Sequence, residues 1–402
     1  MTGNAVVHLV YVNAEKNNNK YYTMQENGDG TWTAIYGRVG YGKSRQMQYP
    51  MCEWERKLEE KLTKGYKDQT SLYKDRRNIE SLDLQVCQMP IKDKQIGSLI
   101  DYLIRCARQT IEQNYTVSIN QVTDLMIQDA KELLEKLEYC SSKEEFNFIL
   151  MKLFYSLPRK MHKVSDFLAE DESQFTKILS REFDLLSVMQ SMLKQKTITR
   201  IQESSTILEK IGIDVYNASD EQVSFVMRHL GDHLRNKVNN VYRVVNKRTQ
   251  QKFDSFLKKN GQPKVQMLWH GSLNENWFSI LEKGLLIKPV AKTNGSMFGK
   301  GIYFAPSPSK SWGYTSSKDA VWTHDIKNKV FMGLFAVAVG TSKDLYSWDD
   351  SYSKLTETTF KKKFPGYDSL YAHGATKMLR NDEIILFRED QMTINYLVEF
   401  QG

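Results

Sequence analysis

Three stretches in the last third of the chain concentrate residue types that can do chemistry: Leu268-Trp-His-Gly-Ser272, the run from Gly295 to Tyr314 (GSMFGKGIYFAPSPSKSWGY), and Arg380-Asn-Asp-Glu-Ile-Ile385. Histidine titrates near neutral pH, so His270 is a candidate hydrogen-bond or proton partner, although a histidine on an apolar strand is more often a satisfied core residue. Gly271 and Ser272 favour the chemical reading, because glycine permits close backbone approach and serine adds a donor and an acceptor. Taken singly, Tyr303 reads as core packing and Tyr314 as loop. Glu383 would ordinarily be a solvated carboxylate, although its place directly before IILF favours partial burial. Gly299 and Gly301 suggest a phosphate loop, but there is no GxxxxGK[ST], and two glycines fall short of the strand-turn-helix dinucleotide fingerprint. Cys52, Cys87, Cys106 and Cys140 form no CxxC pair and lie far apart, so disulfides and structural zinc are not expected.

The elements that must position these residues follow from hydrophobic period. VYRVV, VQMLW, GIYFA, VFMGLFAVAVG, EIILF and MTINYLVEF read as strands, and Ser219 caps a helix carrying Val223, Val226, Met227, Leu230 and Leu234. Residues 201–402 are therefore expected to form an α+β domain on mostly antiparallel sheets. Upstream the period is 3.6. Ile96, Leu99, Ile100, Leu103, Ile104, Ala107 and Ile111 share one face, and Val122, Met126, Ala130, Leu133, Leu134 and Leu137 another. A third helix starts at the capping box Ser142 to Glu145 and stops at Pro158, and a fourth covers Glu172 to Leu193, so residues 83–200 read as an all-helical bundle. Residues 1–82 open with VVHLVYV, KYYTMQ, a turn at Asn27 to Gly30, TWTAIYGRVG and KSRQMQY, a small antiparallel sheet. A helix from Cys52 to Lys64 follows, with Gly65 as its stop.

The bulk numbers agree with a multidomain α+β chain. It has 402 residues, and 56 Lys and Arg against 48 Asp and Glu leave a net charge of +8. That balance suits a polyanionic partner or a mildly basic surface equally. No apolar run approaches the roughly 20 residues of a membrane helix, and the N-terminal stretch lacks the pattern of a secretion signal, so no membrane role and an intracellular location are expected.

LWHGS, MFGKGIYFA, SKSWGY and DEIILF, in that order, resemble the catalytic domain of the poly(ADP-ribose) polymerase family. The family's His-Tyr-Glu triad falls on His270, Tyr303 and Glu383. TWTAIYGRVGYGKSRQ and the helix ending in TKGY are similar to the WGR domain of DNA-damage-responsive members, with Tyr36 in place of the motif's tryptophan and Gly37 and Arg38 retained. The helical segment, with VCQMPI and FYSLP, resembles the regulatory helical domain. The implied architecture is a WGR-like DNA-binding domain (1–82), a regulatory helical domain (83–200) and an ADP-ribosyltransferase domain (201–402).

The resemblance implies ADP-ribosyl transfer from NAD as substrate, with no metal. Gly271 and Ser311 would hold the nicotinamide amide, and Tyr303 and Tyr314 would sandwich its ring. His270 and Ser272 would bind the adenine-side ribose. Glu383, with Lys310 nearby, would meet the 2'-hydroxyl of the nicotinamide ribose, and Gly295 to Lys300 would form a flexible rim. The glutamate marks polymer makers within the family, whereas Asp382 stands where asparagine is often found and Tyr371 to Arg380 is short for the acceptor-side loop. Implied partners are DNA breaks (nicked or 5'-phosphorylated ends), met by Tyr36, Arg38, Lys43 and Arg45 as DNA or interdomain contacts, and protein acceptors including the enzyme itself. In the family the bundle restrains NAD access until DNA engages. A monomer is expected, in the nucleus of a eukaryote or the cytoplasm of a bacterium. A mono-ADP-ribosyltransferase and an inactive DNA-binding scaffold are the alternatives.

Overall fold

The computed structural model describes residues 5–13, 16–73, 91–119, 121–199, 206–292, 296–320, 327–375 and 379–402. Cys87, Val86 to Pro90 of the VCQMPI run, and Gly295 lie outside them. The chain forms two compact units, one of residues 1–85 and 110–178 and the other of residues 86–109 and 179–402. The helical segment is thus divided between them.

In the first unit, β1 (Val6–Asn13), β2 (Asn18–Glu26), β3 (Thr31–Arg38), β4 (Tyr41–Pro50) and β5 (Lys67–Asp68) form an antiparallel sheet of order β4-β3-β2-β1-β5. Alternation along β3 sends Trp32 and Ala34 inward, where Trp32 meets Trp54 edge-on at 5.5 Å. Trp54 opens the Trp54–Thr63 helix. That helix ends before Gly65, whose φ of 88° lies in the left-handed region expected of a helix stop. The two-residue β5 is exposed and carries no apolar alternation to reveal it. The Asp124–Leu137 and Lys143–Ser156 helices bury Ala130, Leu134 and Leu137, and Phe146, Leu150 and Phe154. Ser142 Oγ accepts from Glu145 N–H at 3.2 Å as the cap pattern requires.

The second unit holds two sheets. The larger has order β6-β7-β14-β10-β8, all antiparallel, from β6 (Ile213–Asn217), β7 (Val238–Asn246), β8 (Val265–Gly271), β10 (Lys329–Ala338) and β14 (Met392–Gln401). The smaller has order β11-β12-β13-β9, from β9 (Ile302–Phe304), β11 (Ser342–Leu345), β12 (Ser369–Ala372) and β13 (Glu383–Leu386), with β11 and β12 parallel. The sheets meet where Trp269 and Ala305 exchange both backbone hydrogen bonds, each 3.0 Å. β10 is buried almost throughout, which explains its unbroken apolar run. Ser219 caps Asp220–Arg228 through a full capping box with Gln222. The single helix expected to reach Leu234 breaks at His229, and Gly231 starts a second short helix, Asp232–Arg235. Leu230 and Leu234 are nonetheless both buried.

Among the described residues, Cys52, Cys106 and Cys140 are free thiols, no three metal-ligating side chains cluster, and no helix is long and apolar enough to cross a membrane.

Candidate active site

The site is assembled where β8 of the large sheet meets β9 of the small one. His270 is the penultimate residue of β8, and its Nδ1 lies 3.0 Å from the Tyr303 carbonyl. A carbonyl only accepts, so Nδ1 carries the hydrogen and Nε2 is left as an acceptor. Phe304 and Phe335 meet the ring edge-on at 5.8 and 6.2 Å. This burial, reinforced by the Lys288 charge and opposed by the Tyr303 bond, holds the imidazole down at about 4. His270 is therefore neutral at physiological pH, and the core and functional readings of this residue are compatible.

A stability prediction follows from the sign of that shift. The unfolded chain takes up the His270 proton near pH 6.5 and the folded chain only near 4, so stability is lost as pH falls through that window. Thermal melts between pH 7 and 4 will show a fall in midpoint that is shallower in His270→Gln. An identical slope in the variant would show that this imidazole is not responsible.

Tyr303, in the middle of β9, is held at its phenol: it donates to the Gly299 carbonyl (2.9 Å) and accepts from Phe298 N–H (3.1 Å). Gly299 is not part of a flexible rim. Its φ is 78°, a Cβ there would lie 2.2 Å from the Leu355 carbonyl oxygen, and Lys300 N–H donates to that oxygen at 2.7 Å. These glycines let the chain pass against neighbouring backbone, which is a packing requirement and not a phosphate cradle.

The Pro308–Trp312 helix brings Lys310 and Ser311 to the same place. Trp312 anchors it in the core, 5.5 Å from Phe400, and Ser311 is buried. Gly271 lies directly against this helix: a Cβ on it would stand 1.8 Å from the Ser311 carbonyl oxygen. Ser272 is held from the far side, its hydroxyl accepting from Asn276 Nδ2 at 3.1 Å. Tyr314, just past the helix, is 44% exposed and offers an open ring.

Glu383, the first residue of β13, is 7% exposed and forms an ion pair with Lys310 Nζ. Burial raises the phenols of both Tyr303 and Tyr314, and the Glu383 charge pushes each further in the same direction. A negative charge of low exposure, paired with Lys310, is suited to stabilising positive charge that develops beside it.

The remaining candidates lie in the first unit. Tyr36 stacks on Tyr22 at 5.8 Å and its hydroxyl meets Met47 Sδ at 3.3 Å. Arg38 Nη2 donates to Asn17 Oδ1 at 3.0 Å, and the same oxygen accepts from Val164 N–H at 2.8 Å. Lys43 and Arg45 stand exposed on β4. Sequence reasoning did not single out Asn274, which is fully buried and donates to the Lys329 carbonyl at 2.6 Å, nor Tyr371 and His373 near Glu383. Their roles rest on long-range partners that no local pattern announces.

Residues 221–402 match the poly(ADP-ribose) polymerase catalytic domain. The chain is 28% identical over 188 residues to a putative poly(ADP-ribose) polymerase-like protein of Invertebrate iridescent virus 6, spanning 45% of this chain and 97% of the viral one. It is 31% identical over 155 residues to a mouse protein mono-ADP-ribosyltransferase (36% of this chain, 7% of that one). It is 44% identical over 80 residues to human poly(ADP-ribose) polymerase 2 (20% and 13%). With His270, Tyr303, Lys310 and Glu383 all inside the matched segment, residues 221–402 carry a poly(ADP-ribose) polymerase catalytic domain.

Proposed function

We propose that this protein is a poly(ADP-ribose) polymerase that is activated by DNA breaks, transfers ADP-ribose from NAD to protein acceptors including itself, and elongates the chain as nicotinamide leaves. The observation that carries the reading is the buried Glu383 carboxylate, ion-paired to Lys310. Cleavage of a bond to ribose passes through a cation-like sugar, as in glycoside hydrolysis. Glu383 holds negative charge beside that centre, accepts the ribose 2'-hydroxyl and orients an incoming acceptor hydroxyl. Tyr303, its phenol tied down, and Tyr314 offer ring faces to the cationic nicotinamide. Gly271 and Ser311 backbone and side-chain groups hold the carboxamide, and His270 Nε2 accepts a ribose hydroxyl. The absent side chain at Gly271 lets its backbone pack directly against Ser311, which brings backbone groups and the Ser311 hydroxyl to one place as a planar amide requires.

DNA activation is supported by the exposed Lys43 and Arg45 on one strand. Arg38, bound to Asn17, serves as a tie within its own unit. A single-unit transferase is the second reading, favoured by the short β12–β13 connection and the mono-ADP-ribosyltransferase relative. Incubation with NAD and nicked, 5'-phosphorylated duplex separates the two on a gel: a ladder of products supports elongation, and one mass increment per site supports single transfer. Lys43→Glu with Arg45→Glu is expected to weaken DNA binding more than about tenfold at moderate salt. Unchanged binding in that double variant would remove this face from the DNA contact.

A further inference from the structure

The catalytic glutamate is carried on a short connection whose closure the triad does not explain. β12 ends at Ala372, whose partner across the ladder is Glu383, the first residue of β13. Just ahead of Glu383, both carboxylate oxygens of Asp382 are engaged. Oδ2 accepts from the Tyr371 hydroxyl at 2.7 Å and Oδ1 from Gly374 N–H at 2.6 Å. Ala375 N–H donates to the Arg380 carbonyl at 3.2 Å, closing the two limbs further. They approach so closely that a Cβ on Gly374 would stand 2.5 Å from the Asn381 carbonyl carbon.

Behind Tyr371 the contacts continue. Its ring lies 4.4 Å from His373, whose other neighbour is Tyr346, stacked at 4.2 Å and 4°. His373 Nε2 meets Asp344 Oδ1 at 2.7 Å. A brace therefore runs from β11 through β12 to the residue preceding Glu383.

From this arrangement we propose that Asp382 and Tyr371 are positioning residues for Glu383, setting where its carboxylate stands without touching substrate. The inference rests on ADP-ribosyl transfer being the reaction of this site. Two features point to positioning rather than to general folding. Ile384, Ile385 and Leu386 are fully buried and hold β13 in its sheet, so the clamp acts only at the strand's first residue. An ionised carboxylate is also the side chain of this length that accepts on two oxygens at once, and the Tyr371 bond, with the Gly374 amide, holds Asp382 below the usual carboxylate range. Asparagine offers one such oxygen, so aspartate makes the tighter clamp.

The test compares wild type with Tyr371→Phe, Asp382→Ala and Asp382→Asn. For Tyr371→Phe and Asp382→Ala, kcat for transfer is expected to fall about tenfold or more while KM for NAD, nicotinamide binding by calorimetry and the thermal midpoint stay close to wild type. Asp382→Asn will recover part of the loss. Hydrogen exchange is expected to quicken over residues 379–383 and not over 384–386, a readout independent of activity. Unchanged kcat and exchange overturn the proposal, as does a fall in kcat that comes with lost nicotinamide binding or a lowered midpoint, which would mark a general structural role. A wild-type protein inactive with NAD would overturn the transfer reading and the catalytic role built on it, while the exchange experiment would still decide whether the clamp exists.

Discussion

Glu383→Gln will abolish elongation and lower ADP-ribosyl transfer by about 10²–10³-fold, the scale found when a pre-placed charge-stabilising group is removed from a buried site. Glutamine keeps the shape and one acceptor oxygen, so nicotinamide binding will change little. The loss therefore falls on kcat, as expected of an interaction that strengthens only as positive charge develops. The substitution also strips Lys310 of its partner in a place where the two side chains are only 14% and 9% exposed. Breaking such a pair by removing one member costs about 3–5 kcal/mol, because the other charge is left uncompensated. Glu383→Gln is accordingly less stable than wild type, and adding Lys310→Met restores the midpoint without restoring transfer. If the double variant regained activity, the carboxylate would not be the catalytic group.

Gly271→Ala will lower nicotinamide affinity about 100-fold, with a destabilisation of about 1–3 kcal/mol. The added methyl would stand 1.8 Å from the Ser311 carbonyl oxygen and 2.7 Å from its carbonyl carbon, and neither backbone is free to yield. On one side Gly271 is paired with Met332 in the ladder of β8 on β10; on the other the helix is rooted by Trp312 against Phe400. Relief of the clash must shift Lys310 and Ser311 together, so the same substitution moves the amide clasp and the partner of Glu383. Calorimetry with nicotinamide checks the affinity, and a thermal melt shows whether the loss is local. Affinity within about threefold of wild type would show that the amide is not held by Gly271 and Ser311.

The chemistry was more legible in the sequence than the geometry that makes it work. His270, Tyr303 and Glu383 stand out because each occurs in a short run of distinctive composition, and β10 and the Lys94–Asn114 helix announce themselves by period. Burial of Ile96, Leu99, Leu103 and Ala107 bears out the helical face. What local pattern does not encode is partnership at a distance. The Trp269–Ala305 junction that joins the sheets, the Lys310–Glu383 pair 73 positions apart, and the Asp382 clamp all depend on how strands are ordered. β6, β11 and β12 escaped notice because IDVYN, SKDL and SLYA mix polar residues among few apolar ones, whereas the equally short β9 and β13 sit in apolar runs. The break at His229 was hidden because Leu230 and Leu234 keep helical spacing across two separate helices.

The central claim is that Glu383 in this site transfers ADP-ribose from NAD. The most direct test is incubation of the purified chain with NAD labelled in its adenine, with and without nicked DNA, alongside Glu383→Gln. Covalent label on the wild-type protein, increased by DNA and nearly lost in the variant while nicotinamide still binds, is the predicted result. Absence of covalent label on wild type under both conditions, or equal labelling of the variant, would contradict it.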